Sequence, residues 1–298
     1  MKKYFNILLI ILFLIIEIFI LSNSSIVIDS FVMSINICLY NLMPTLFLSI
    51  LINNILLKLR FDKYIPKIIK NIFKKIFNIC DKDVVIFLLS MISGYPNNAS
   101  MLNNNENLNN LILYTNFTNP IFIIVTTGSI YLKDIKLSII ILISQYISNI
   151  IIGFALRNKN NINNKKYDDI KSYSFLQIYY SSIKNTIYTI SMVFSNILFF
   201  SVINSLFTNM FNLTEPFNSL LTGIIEFSSG IYNISITNYS AFIKGLIIII
   251  IITFGSFSIH MQIMSINEKI IYTIYLLFRI INIIISIIIY IILFNLIY

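Results

Sequence analysis

The residues best placed to do chemistry lie in four short polar clusters, each of which interrupts a strongly apolar run. Ser93-Gly94-Tyr95-Pro96-Asn97-Asn98 follows the run 84–92, and Asn116-Phe117-Thr118-Asn119-Pro120 separates 111–113 from 121–125. Glu226-Phe227-Ser228-Ser229-Gly230 and Phe254-Gly255-Ser256-Phe257-Ser258-Ile259-His260 repeat the pattern later in the chain, with Gln262 two residues on. Hydroxyl and amide groups at a helix break can hold a solute without covalent chemistry, and a freed helix N-terminus favours a carboxylate. No Ser/His/Asp triad, carboxylate dyad or metal-ligand cluster emerges. The clusters therefore read as a binding site, not an enzyme's, with no catalytic residue, metal or cofactor. Its candidate residues are Ser93, Gly94, Tyr95, Pro96, Asn97, Asn98, Asn116, Thr118, Asn119, Glu226, Ser228, Ser229, Gly230, Gly255, Ser256, Ser258, His260 and Gln262. The alternative is that these groups only satisfy one another where the helices break.

Such breaks need a membrane to be informative, and the composition supplies one. The 298 residues are 57% hydrophobic and only 11% charged, with a mean hydropathy of +0.86, far from a soluble domain. Apolar runs of about 20 residues, enough to cross a ~30 Å hydrocarbon core, recur along the chain. In hydrocarbon an interrupted backbone leaves N–H and C=O groups unpaired at several kcal/mol each, so a break persists only where protein, water or solute satisfies it. The absence of a Gly-x-x-x-x-Gly-Lys-Ser/Thr loop excludes a built-in ATPase of that kind. Cys38 and Cys80 have no Cys-x-x-Cys or His partner in sequence.

The clusters are regularly spaced. Gly94 to Asn119 is 25 positions, Gly230 to Gly255 is again 25, and the two pairs are offset by 136. The spacing predicts an all-α polytopic membrane protein of two inverted repeats, each with a re-entrant hairpin and a broken transmembrane helix, plus one leading helix. The expected bounds are 1–22 for the leading helix, 30–157 for the first repeat, 158–172 for a cytoplasmic linker and 173–298 for the second repeat. Hairpin turns are expected at 94–98 and at 228–231, and a kink at Pro44.

Charge gives the orientation. The net charge of +9 comes from Lys and Arg in membrane-flanking stretches, which points away from nucleic acid. Eight basic residues fall in 58–82, whereas none lies between Lys184 and Lys244. By the positive-inside rule the N-terminus is cytoplasmic. Lys67, Lys70, Lys74 and Lys75 alternate with Ile and Phe at helical spacing, the pattern of a helix lying on anionic lipid. Three further residues have two readings each. Glu17 can act within the membrane or snorkel to its edge, and Arg279 can pair with a carboxylate or snorkel. Glu226, far in sequence from any basic residue, can carry a proton-sensitive step or sit at the interface.

Taken in order, Ser93-Gly94-Tyr95-Pro96 with Ala99, 116–122, Glu226 with Gly230, and 254–262 resemble the YlbJ-type sporulation integral membrane proteins, within the nucleoside-recognition or gate domain group. The resemblance runs over about 30 to 290. Where that family usually has Gly, this chain has Asn98, Asn119 and Ser256. The resemblance implies a multi-pass bacterial cell-membrane protein at the outer forespore membrane, delivering dipicolinate to the spore. The implied partners are membrane lipid and a small-molecule anion, with a homo-oligomer or other sporulation membrane proteins left open. A nucleoside-like solute, or a non-transporting scaffold for spore-envelope assembly, are the competing expectations.

Overall fold

The computed structural model describes residues 2–102, 108–157, 174–210 and 213–298; the expected linker 158–172 lies outside them. The described residues form helices and no strand. Four helices are long and apolar enough to cross a bilayer, at Ile135–Ala155, Phe175–Met210, Ala241–Ile266 and Tyr272–Ile297. The chain is thus an all-α membrane protein.

Helix α1 (Lys2–Ser22) meets α2 (Ser24–Asn36) at a 98° bend at Asn23. It touches the body of the molecule where Phe13 approaches Phe199, at 6.4 Å between rings. Helix α2 continues through a π-helical turn, Ile37–Leu42, into α3 (Met43–Lys58). The widened turn lies just before Pro44, whose ring would clash with the carbonyl four residues back in a regular helix.

Helix α4 (Lys67–Phe77) has two faces. Phe73 and Phe77 pack against Phe87, at 5.2 and 5.0 Å, while Lys67, Ile68, Ile72 and Lys75 stay exposed. Asn78, at φ +53, closes its C-terminus by donating to the Lys74 carbonyl, the left-handed cap that Asn tolerates well. Lys74 and Lys70 then reach Asp81 at 2.7 and 3.5 Å. Partial burial acts to raise the Asp81 carboxyl, but the two ammonium groups outweigh it and hold it below the usual carboxylate range.

The remaining helices are α5 (Asp81–Ser93), α6 (Asn97–Met101), α7 (Leu108–Tyr114), a π-helical segment Phe122–Leu132, α8 (Ile135–Ala155), α9 (Phe175–Met210), α10 (Phe217–Ile225), α11 (Phe227–Ser235), α12 (Ala241–Phe254), α13 (Phe257–Ile266) and α14 (Tyr272–Ile297). Helices α8, α12 and α14 pack on one another, and α9 covers α2, α3 and α13. Helix α14 shows how the membrane inverts the usual pattern. Its buried residues are Tyr275, Arg279, Asn282, Ser286 and Tyr290, all bearing polar groups, while Leu277, Ile284 and Ile288 face outward. Lipid is as apolar as Leu, so the inner stripe is where hydrogen bonds form.

Candidate functional site

The first break is a tight join between two segments. Gly94 ends α5 at φ +71, ψ −173, a conformation that L side chains avoid. A Cβ there would also fall 2.8 Å from the Thr118 carbonyl carbon and 2.9 Å from Asn119 Cα. Glycine is required on both counts. The Tyr95–Pro96 peptide is cis, and the Tyr95 N–H donates to the Phe117 carbonyl at 2.7 Å. Ser93 Oγ donates to Leu89 O at 2.9 Å and accepts from Asn97 at 3.0 Å. Asn98 donates to Thr115 O and Asn116 Oδ1, both at 3.3 Å.

The second break is satisfied by side chains of other helices. Thr118 N donates to Gln145 Oε1 at 3.1 Å, while Gln145 Nε2 donates back to Thr118 Oγ1 at 2.7 Å. Asn149 donates to Asn116 O at 3.3 Å, and Asn116 Nδ2 to Tyr275 Oη at 3.0 Å. Arg279 donates to Leu113 O at the end of α7. Asn119 Oδ1 accepts from Ile121 N at 2.8 Å, at the turn that leads into the π-helical segment. Neither Asn98 nor Asn119 is left-handed; the non-glycine residues that are left-handed among those described are Arg60, Asn78 and Lys133.

In the later half one expectation is corrected. The break falls at Glu226, with extended backbone (φ −138, ψ 116), and Gly230 lies inside α11. A Cβ on Gly230 would strike the Gly223 backbone and come within 2.8 Å of Ser219 O. This glycine serves the close approach of α10 and α11, not a turn. The Glu226 carboxylate, 1% exposed, caps α11. It accepts from Ser228 N at 3.2 Å, Ser229 N at 2.8 Å, Ser228 Oγ at 2.7 Å and Ser229 Oγ at 2.8 Å.

Gly255, left-handed at φ +75, ends α12, and Ser256 caps α13 by accepting from Ile259 N at 3.3 Å. His260 is held by packing and two contacts. Its Nε2 lies 2.9 Å from Phe254 O and its Nδ1 3.3 Å from Tyr272 Oη, among the rings of Phe254, Phe257 and Tyr275. Gln262 donates to Ser258 Oγ at 3.2 Å.

A narrow cleft of about 20 Å³, room for a water molecule, joins the two halves of the chain. Tyr95, Pro96, Thr118 and Asn119 line it from the first, and Phe227, Ile259 and Gln262 from the second. Leu42, Leu46, Val193 and Ile197 close it with apolar surface. The structure thus gathers five of the expected residues at one surface, with His260 and the Glu226 serine cradle outside the lining. Tyr95 ties the cleft to its surroundings. Its hydroxyl meets Thr118 Oγ1 at 3.0 Å, and its ring stands edge-on to Phe227 at 6.1 Å.

Sequence reasoning missed the polar seam behind the cleft. Asn282 donates to Asn149 Oδ1 at 2.8 Å, Ser148 donates to Asn282 Oδ1, and Ser286 donates to Thr253 Oγ1 at 3.2 Å. The available signal was periodicity: 275, 279, 282, 286 and 290 mark one polar stripe on an otherwise apolar helix. Among the described residues no group of three or more His, Cys, Asp or Glu is placed to hold a metal ion. In comparisons with protein-family models, curated proteins and solved structures, nothing matches the chain.

Proposed function

We propose that this protein is a membrane transporter whose solute, a small organic anion, binds where the broken helices meet. The cleft carries this reading, because residues far apart in sequence converge on it with hydroxyl, amide and aromatic groups, the composition of a small-molecule site. The 25-residue spacing and the 136-residue offset support two inverted repeats, an architecture that places binding sites between discontinuous helices near the bilayer midplane. Charge asymmetry supports a cytoplasmic N-terminus. By resemblance to the YlbJ-type proteins, the solute is dipicolinate and the membrane the outer forespore membrane of a sporulating cell.

Uptake of labelled dipicolinate into liposomes containing only this protein tests the reading. Uptake above that of empty liposomes, saturable and competed by unlabelled dipicolinate, is the expected result. Uridine uptake without dipicolinate uptake would reassign the solute to a nucleoside. Transport of neither would favour an assembly scaffold, consistent with the many hydrogen bonds the breaks make internally.

A further inference from the structure

The polar groups around the breaks differ in one respect: most are paired, and one cation is not. Arg279 is the eighth residue of α14, about 10 Å along the helix from its start, and is 0% exposed. It does not snorkel. No carboxylate among the described residues forms an ion pair with it. Its Nη2 donates to Leu113 O, and its Cζ lies 5.4 Å from the centre of the Tyr275 ring. Nε and Nη1 have no partner.

The buried carboxylate nearby makes the contrast. Glu226 has four donors aimed at it, whereas Arg279 has one acceptor for three nitrogens. Neither group lines the cleft itself, but both act electrostatically on Tyr95, which does. The carbonyl end of α7 gives Arg279 part of a negative charge, but a buried guanidinium with N–H groups unpaired is costly unless an anion completes it. Its planar fork suits the two oxygens of a carboxylate better than any other side chain. At the same break Asn119 Nδ2 is also buried without a partner, a second donor where the second break borders the cleft.

We infer that Arg279 is the resident countercharge of the transport site: a carboxylate of the solute pairs with the Arg279 guanidinium behind Tyr95. The inference rests on the transport reading above and adds the group that selects charge. In occlusion the carboxylate takes the N–H groups on Nη1, on the opposite edge of the fork from Nε–H, with the Leu113 contact to Nη2 holding the plane of the fork.

Binding to the purified, detergent-solubilised protein tests it, with dipicolinate, benzoate and acetate as carboxylate probes and pyridine-2,6-dicarboxamide as the neutral analogue of the first. Wild type should prefer dipicolinate over the diamide by on the order of 100-fold. Arg279→Gln should erase that preference, and Arg279→Lys, which keeps charge but loses the fork, should retain part of it. If Arg279→Gln binds dipicolinate with wild-type affinity, the assignment is overturned while the transport reading stands. Arg279-dependent binding of benzoate or acetate, but not dipicolinate, would keep the countercharge and replace the proposed solute. If the variants do not fold, the wild-type ratio decides: a value near one, or no binding of any carboxylate, overturns the inference.

Discussion

Replacing Gly94 by Ala should be the most damaging single-methyl change in the protein, and the structure sets its size. Backbone at φ +71, ψ −173 costs a non-glycine residue about 1–3 kcal/mol. The new Cβ would also sit 2.8–2.9 Å from Thr118 and Asn119 backbone carbons, where overpacking costs a further ~1–3 kcal/mol. The two effects together give about 2–6 kcal/mol. Gly230→Ala, in helical backbone, carries only the overpacking, against the Gly223 backbone and Ser219 O. Gly255→Ala carries only conformational strain of about 1–2 kcal/mol, since its Cβ would meet nothing nearer than 3.7 Å. Thermal unfolding can be followed with a thiol-reactive dye, because Cys38 is 3% exposed and Cys80→Ser removes the second thiol. The midpoints should fall in the order wild type, Gly255→Ala, Gly230→Ala, Gly94→Ala, with Gly255→Asn recovering most of the loss at that site. A Gly94→Ala protein that unfolds at the wild-type temperature would refute the coupling of the two breaks through this residue.

Three further outcomes are expected. With Cys38 and Cys80 removed, single cysteines at Asn161 and Asn218 should react with an impermeant maleimide from opposite faces of the membrane; labelling of both from one face would break the inverted-repeat proposal. Glu226→Gln should lower the unfolding midpoint, because an amide N–H₂ would confront donors that now point at carboxylate oxygens, with a loss of about 1.5–3 kcal/mol; an unchanged midpoint would show that the serine cradle contributes nothing. Asp81, held below its ordinary range by Lys74 and Lys70 against the opposing effect of burial, contributes stability above its unfolded value near pH 4. That contribution disappears as pH falls through the lower folded value. Asp81→Asn should therefore narrow the difference in midpoint between pH 6 and pH 3, and a difference equal to wild type would count against the ion pair.

The positions of the first two breaks were legible because Gly, Pro and Asn interrupt long apolar runs, and lipid penalises such interruptions unless they are used. Helices α8, α9, α12, α13 and α14 follow from the same runs. The Glu226 break was misplaced by two to five residues for a specific reason. A glycine inside a helix, allowing close approach, looks in sequence like a glycine at a turn, and Gly230 is the former. The 98° bend at Asn23 had no breaker stronger than a single Asn between serines to announce it. In a chain rich in Asn, the individual amides at 149 and 282 carried little weight, so the seam they form went unseen. For Arg279 the sequence offers pairing or snorkelling, and burial against the end of α7 is neither.

The seam between α8 and α14 bears on how the chain is made. Asn149 and Asn282 are 133 positions apart and bond to each other, so α8 enters the bilayer long before the helix that completes its polar face has been synthesised. Asn149 Nδ2 already has Asn116 O, but until then its Oδ1 must be shielded by water, by the translocation machinery or by a provisional neighbour, because lipid offers no partner. Arrival of the last helix is what seals the interior. A chain cut short before α14 would leave a strip of unmet hydrogen-bonding groups facing hydrocarbon, a mark by which membrane quality control could tell an unfinished molecule from a complete one.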